Sequence, residues 1–338
     1  MALWDRLGGL DVTLEEVSTE RRSVEVSTQF TRATTTVVFG GRGETGRGED
    51  VTYTAEDHDW FPTLEASGRT TLAELSAELD AVQLFEREPK MHASHDYRRW
   101  AFESAALDLA LRQNELSLGA ALDLQYEPVR FVVSTRADAF AWLEHNPDLE
   151  LKLDPDNDWD RVLMERLAAT DRVRVLDFKA YYTGTPVDVA PDPQLYRTAA
   201  ELFPEAVLED ASLDGECGAV LQGEEARLSF DAPIHSVENA RALPFAPRVL
   251  NSKPSRFGSL ERLLDFYDYA ASEGIELYGG GQWELAVGRD HIQLLAALFH
   301  PDGPNDVAPR AYNASEIADG LPPSPLELRA APSGFRLA

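Results

Sequence analysis

The sequence predicts an α/β protein with two domains, an α+β domain followed by a (β/α) barrel. Two observations predict this fold. Strand-like runs precede helix-like runs in the first third of the chain. Short strand-like runs then recur at intervals of about 20–30 residues, with helix-like segments between them. The 338 residues are enough to build two such domains.

The first domain is predicted to hold an antiparallel meander and two helices. Residues 10–56 are rich in alternating and β-branched residues with turn residues between the runs. Residues 70–87 and 97–113 show helical periodicity. Thr70 or Thr71 is predicted to cap the first helix, and Glu74 stands three residues after Thr71, the spacing of a capping box. We therefore assign residues 1–127 to an α+β domain.

The barrel is predicted from seven strand-like runs, a number that suits a closed barrel better than an open sheet. The sequence alone does not exclude the open sheet. They cover residues 129–135, 149–154, 173–182, 206–211, 226–234, 247–256 and 275–281. The barrel domain is assigned to residues 128–315. The proline-rich tail, residues 316–338, is expected to pack back on the body.

Composition excludes several classes of function. A net charge of −28 argues against nucleic acid as a partner, because phosphate binding needs a basic surface. The one cysteine, Cys217, excludes an intrachain disulfide framework. Apolar runs fall far short of a membrane span, so we expect a cytoplasmic protein with no membrane partner. The composition is compatible with a homo-oligomer.

Charged side chains gather where the predicted strands end, which is where barrel enzymes carry their active sites. Only four of the 31 cationic residues are lysine, and three of those four lie at strand ends. A lysine can lose its proton, whereas arginine cannot. Acids follow three consecutive strands and are expected to converge on a hard cation such as Mg²⁺ or Mn²⁺. The set is Lys152, Asp154, Asp177, Lys179, Glu209, Asp210, Asp231, Asn251 and Lys253.

These motifs resemble the enolase superfamily, in particular its muconate-cycloisomerase and o-succinylbenzoate-synthase branch. The resemblance covers nearly the whole chain. It is carried by "LKLD", "VLDFK", "LED" and "FDAP" on the second to fifth strands, and by "LNSKPSRFG" and "YGGGQWELAVG" on the sixth and seventh. The last two are the most specific. The resemblance implies a modified (β/α)8 barrel of the (β/α)7β kind with an N-terminal capping domain.

The resemblance also implies chemistry. The family abstracts a proton α to a carboxylate, so the chain is expected to be a lyase or isomerase that acts on a small carboxylate with Mg²⁺ or Mn²⁺. The implied metal ligands are Asp177, Glu209 and Asp231. The implied catalytic residues are Lys253, Lys152, Lys179 and Asp154. Substrate contacts are expected from Asn251, Glu284 and Arg32, the last in a mobile substrate-covering loop near residues 20–32.

Two positions depart from the family pattern. Asp154 stands where the second strand usually has a second lysine, and Lys179 stands where the third strand usually has asparagine. In one interpretation Lys179 or Lys152 acts opposite Lys253 as a displaced acid or base. In the other, Lys179 neutralises the acids, and the protein is a metal-free or non-catalytic relative. The two interpretations predict opposite metal contents.

Overall fold

The N-terminal part of the chain forms an antiparallel cap. The computed structural model describes residues 2–27, 30–66, 68–135, 138–185, 187–314 and 317–338. Strands β2, β3 and β4 form one antiparallel sheet, and β1 pairs with β5. The strands are β1 Asp11–Leu14, β2 Glu16–Ser27, β3 Phe30–Gly41, β4 Glu44–Asp50 and β5 Gly68–Thr71.

Helix α3 is the centre of the cap, because every residue from 97 to 111 is buried. Strand β4 packs so closely on it that a Cβ at Gly48 would lie 2.0 Å from the carbonyl oxygen of Ala101. Only glycine permits that approach. The cap also contains a 3-10 turn, Ala55–Asp59, and its helices are α1 Leu3–Leu7, α2 Leu72–Asp80, α3 Ser94–Gln113 and α4 Leu118–Leu122.

The predicted capping box is confirmed at α2. The Thr71 hydroxyl accepts the Glu74 N–H at 3.2 Å, and the Glu74 carboxylate accepts the Thr71 N–H at 3.0 Å. The predicted helix over 70–87 is too long, since α2 ends at Asp80. The chain beyond it turns away, and the carbonyl of Leu84 accepts a hydrogen bond from the buried Arg98 guanidinium at 2.9 Å.

The second part is the predicted modified barrel. Strands β6 to β10 form a parallel sheet in sequence order, and β11 pairs in parallel with β12. The Asn251 N–H donates to the carbonyl of Phe230 at 3.2 Å and joins the two sheets. The strands are β6 Val133–Ser134, β7 Leu151–Leu153, β8 Val173–Asp177, β9 Val207–Glu209, β10 Leu228–Ser229, β11 Val249–Ser252 and β12 Glu276–Gly279.

The barrel closes through Asn305 and Asp306. Asn305 forms a parallel bridge to Phe131, and Asp306 forms one to Gly280, so this short segment takes the place of an eighth strand. The segment "HPDGPNDVAP", which reads as a loop in sequence, therefore completes the barrel. The barrel helices are α5 Ala139–His145, α6 Arg161–Ala168, α7 Pro193–Leu202, α8 Gly215–Val220, α9 Val237–Arg241, α10 Pro254–Phe257, α11 Leu260–Glu273 and α12 Gly288–Phe299, followed by a 3-10 turn, Arg310–Asn313.

Buried polar contacts join the cap, the barrel and the tail. The Glu49 carboxylate, at the end of β4, accepts the N–H groups of Leu285, Ala286 and Gly288 at 2.7–3.0 Å and so holds the start of α12. Asp108 of α3 accepts the N–H of Phe335 in the tail at 2.8 Å. The proposed domain limits, residues 1–127 and 128–315, stay predictions. Within the described residues, the helices are all too short or too polar to cross a bilayer.

Candidate active site

The predicted strand-end residues meet in one buried cluster at the carboxyl ends of the barrel strands. Lys152 lies in β7, and Asp177 and Glu209 are the last residues of β8 and β9. Asp231 follows β10 by two residues, and Lys253 directly follows β11. All five side chains are buried. Local sequence places each residue at its strand end, and barrel closure then brings them together.

Lys152 joins the first two acids. Its Nζ lies 3.0 Å from Asp177 Oδ2 and 2.5 Å from Glu209 Oε1. Burial opposes ionisation of Asp177, but the ammonium groups of Lys152 and Lys179 outweigh it and hold the pKa of Asp177 below its usual range. Burial and the neighbouring Asp177 charge raise the pKa of Glu209 to about 8. The contact with Lys152 therefore offsets only part of the effect of burial and of Asp177 on the pKa of Glu209.

The acids that could share a cation are Asp177, Glu209 and Asp210, which offer oxygens within 4.8 Å of one another. Asp210 has a left-handed φ of 52°, and its carboxylate accepts the N–H groups of Asp231 and Ala232 at 2.8 and 3.0 Å. Burial and the charges of Asp231 and Asp177 raise the pKa of Asp210 to about 7. Three crowded carboxylates with oxygen donors only fit Mg²⁺ or Mn²⁺.

Asp231, the third metal ligand implied by the resemblance, is outside that group and is held by cations. Its carboxylate lies 2.7 Å from Lys253 Nζ and 3.0 and 3.1 Å from Nε and Nη2 of Arg256. It also accepts the Tyr182 hydroxyl at 3.1 Å. Burial opposes its ionisation, but Arg256 and Lys253 hold the pKa of Asp231 below its usual range. Arg256 and Tyr182 were not predicted, although Arg256 stands three residues after Lys253 in "LNSKPSRFG".

The two positions that depart from the family pattern contact each other. Lys179 Nζ pairs with Asp177 and lies 3.6 Å from Asp154 Oδ1 on the neighbouring strand end. Burial opposes the charge on Lys179, but Asp177 and Asp154 raise its pKa. The second lysine of the family pattern is thus absent from the second strand, and a lysine on the third strand places a cation beside Asp177.

Asn251 and Gly280 border the Lys253 side of the cluster. The Asn251 amide donates to Glu209 Oε2 at 3.3 Å, and its Oδ1 has no hydrogen-bond partner among the described residues. A Cβ at Gly280 would lie 2.9 Å from Lys253 Cε. The glycine therefore leaves room for the lysine stem. An unpaired buried amide oxygen is costly, and a substrate N–H or O–H group would satisfy it.

The other two expected substrate contacts are engaged elsewhere. Glu284 accepts the Gln282 N–H at 2.5 Å and pairs with Arg289 at 3.2 Å. Arg32 uses all five N–H donors on main-chain carbonyls. The acceptors are Ala33, Val51 and Thr52 of the cap and Gln282 and Trp283 after β12. Arg32 thus clamps the cap to the barrel and has no donor left for a substrate. Residues 28 and 29 of the expected covering loop lie outside the described residues.

We expect an Arg32→Lys variant to lose about 2–3 kcal/mol of unfolding free energy, because a single ammonium cannot serve five carbonyls and would leave buried acceptors unpaired. Urea unfolding measures this loss. The matched control is Arg42→Lys at an exposed turn, expected to change stability by less than about 0.5 kcal/mol. Equal stability of the two variants would show that the clamp is dispensable.

Comparison of sequences matches this chain to a protein family and to a racemase. Residues 5–121 match the N-terminal domain, and residues 125–314 the C-terminal domain, of the family described as Domain of unknown function (DUF8230). An N-succinylamino acid racemase of Thermus thermophilus is 30% identical over 188 residues, which are 52% of this chain and 50% of that protein. The chain thus matches about half the length of that relative.

Solved structures of enolase-superfamily proteins have the same fold as this chain. A member of the enolase superfamily from Listeria innocua matches with a TM-score of 0.61 and 17% identity, over 92% of this chain and 90% of that one. A dipeptide epimerase from Methylococcus capsulatus, solved with Mg, matches with a TM-score of 0.64 and 18% identity, over 87% and 89%. The predicted enolase-superfamily fold is confirmed. With the family match covering more than half of its residues, the chain belongs to the DUF8230 family and has the enolase-superfamily fold.

Proposed function

We propose that this protein is an isomerase or lyase that abstracts the proton α to the carboxylate of a small substrate, with Lys253 as the base. The observation that carries this proposal is the position of Lys253. Its amine lies 2.7 Å from Asp231 in the same buried cluster as the acid group of Asp177, Glu209 and Asp210. Amino-acid derivatives are the first substrates to test, because the similar proteins include an N-succinylamino acid racemase and a dipeptide epimerase.

Arg256 prepares Lys253 for this role. A lysine must be unprotonated to accept a proton, so the Asp231 charge needs a cation other than Lys253 to balance it. Arg256 contacts both oxygens of Asp231 and is permanently charged. Asp231 therefore keeps a cation on both of its oxygens independently of Lys253, and the Lys253 amine is available for proton transfer.

The opposite side of the cluster carries a second proton-transfer group. Lys152 and Lys179 both contact Asp177 at the end of β8, whereas Lys253 follows β11 and contacts Asp231. One amine on each side would permit proton removal from one face of the α-carbon and return to the other, as an epimerase or racemase needs. Removal alone, with loss of a leaving group, would give a lyase.

Asp177, Glu209 and Asp210 are the residues that would hold a divalent cation. When bound, the cation would neutralise negative charge as it develops on the substrate carboxylate. Asp231, the implied third ligand, would have to leave Lys253 and Arg256 to join this group. The raised pKa values of Glu209 and Asp210 support the need for added positive charge here.

A metal-free relative is the second candidate, and one observation favours it. Asp177 is paired with the ammonium groups of both Lys152 and Lys179, so two cations already stand on a carboxylate that a metal would need. The cluster would then be a structural ion-pair network or a binding site for a small molecule.

Proton exchange in D₂O tests the proposal. The protein is incubated with N-succinylamino acids and dipeptides at millimolar Mg²⁺, and loss of the α-proton signal is followed by NMR. We expect exchange with at least one of these classes, and its loss on chelation. Absence of exchange throughout the panel, together with no Mg²⁺ bound at millimolar supply, would instead establish the metal-free relative.

A further inference from the structure

A second cluster of metal-binding side chains lies outside the barrel, at the start of α3. Glu88, His92 and His95 each offer one ligand atom, and these atoms lie within 4.8 Å of one another. We propose that these three residues form a binding site for a transition-metal ion of the Zn²⁺ class. This site, the α3 site, is separate from the acid group at the barrel mouth and independent of the proposed reaction.

The backbone brings the two imidazoles together. The His95 N–H donates to the carbonyl of His92 at 3.1 Å, in the turn that opens α3. The two rings lie 5.4 Å apart, centroid to centroid. The Glu88 carboxylate faces both of them, with Oε2 at 3.2 Å from His95 Nε2 and Oε1 at 3.5 Å from His92 Nδ1. The three ligand atoms therefore border one small space, each within 4.8 Å of the others.

Buried neighbours fix one side of this arrangement. The His95 ring packs edge-on against Phe85 with 5.1 Å between centroids. The buried Phe85 ring in turn lies 3.8 Å from the Arg98 guanidinium carbon, and Arg98 also binds the carbonyl of Leu84. His95 and the segment that leads to Glu88 are thus held before an ion binds. Glu88 and His92 are exposed, so an ion can reach them.

The donor set differs in kind from that of the barrel. Two imidazoles and one carboxylate suit Zn²⁺ and related ions, whereas Mg²⁺ prefers an all-oxygen set. Three protein ligands leave a coordination position open, and Glu88 and His95 line a cavity of about 380 Å³ between the cap and α11. A bound ion would tie the segment between α2 and α3 to the start of α3 and leave one position for water or an anion from the cavity.

Zinc titration of the whole protein at millimolar Mg²⁺ tests this site, because the Mg²⁺ competes for the oxygen ligands of the barrel. We expect one Zn²⁺ equivalent per chain by calorimetry. His92→Ala and Glu88→Gln change exposed side chains and should leave folding intact while weakening this equivalent by at least about 10-fold. The matched control is His145→Ala, which removes a histidine that pairs with a single acid, Asp319.

The expected pattern is Zn²⁺ binding weakened by at least about 10-fold in both site variants and unchanged in the control. Two results would overturn the proposal. One is a wild-type protein that takes up no Zn²⁺ under these conditions, in which case the three residues make surface hydrogen bonds only. The other is unchanged affinity in His92→Ala, which would place the zinc elsewhere. Neither readout measures proton exchange. A negative result for the α3 site therefore does not bear on the reaction proposed for the barrel.

Discussion

Replacing Lys253 with alanine is expected to slow α-proton exchange by about 10²- to 10⁴-fold, the usual contribution of a positioned general base. The fold should survive, because Arg256 still contacts both oxygens of Asp231 and keeps a cation beside this buried carboxylate. The measurement is the rate of α-deuterium incorporation by NMR, with whichever substrate class the wild-type protein accepts.

Lys90→Ala is the matched control, since Lys90 is the one lysine of the chain outside the cluster and is exposed. Its exchange rate should equal that of the wild type. An Arg256→Lys variant tests the contribution of Arg256 to the exchange rate. The variant keeps the positive charge but loses the bidentate contact with Asp231. We therefore expect slower α-proton exchange and a shifted pH profile of the exchange rate. Unchanged exchange in Lys253→Ala would refute the role of this lysine.

The barrel could be predicted because its signal is local. Strand-like runs of apolar residues repeat at regular intervals, and each run ends in a polar residue. This pattern is visible in the sequence without any knowledge of the tertiary structure. Strand limits could not be predicted in the same way. The run over 173–182 ends as a strand at Asp177, because Lys179 adopts a left-handed φ of 56°. No propensity argument predicts that conformation for a lysine.

The gathering of acids and lysines at the strand ends was predictable, but which acids could share a cation and which acid pairs with which cation were not. Strand-end position alone brought Asp177, Glu209, Asp231 and the lysines near one another. Which acid meets which cation depends on a backbone turn at Asp210 and on the short helix α10, which carries Arg256 back to Asp231. Both are set by tertiary packing.

Arg32 shows the limit of carrying roles over from a resemblance. Its position near the expected covering loop suggested a substrate contact. Its partners include two carbonyls about 250 residues away in sequence, at Gln282 and Trp283. Contacts of that range have no local signal, so only the fold could show that this guanidinium is fully used.

Lys179 is where the two candidate functions diverge, and a Lys179→Asn variant is expected to bind Mg²⁺ roughly 10- to 100-fold more tightly than the wild type. Two unit charges about 4 Å apart interact by about 4 kcal/mol at an effective dielectric constant of about 20. The Lys179 ammonium pairs with Asp177 and so opposes a cation at the same carboxylate. Movement of Lys152 toward Asp177 would offset part of the gain. Calorimetric titration with Mg²⁺ measures the difference.

The double variant Lys179→Asn/Asp154→Asn is the control, because it removes a cation and an acid 3.6 Å apart and keeps the net charge. Its Mg²⁺ affinity should fall between those of the wild type and the single variant. Equal affinity in all three proteins would show that Lys179 does not compete with a metal. The exchange rate of the single variant then separates the two roles of Lys179. Tighter Mg²⁺ binding with slower exchange identifies a displaced acid or base, whereas tighter binding with faster exchange identifies a cation that stands in for the metal.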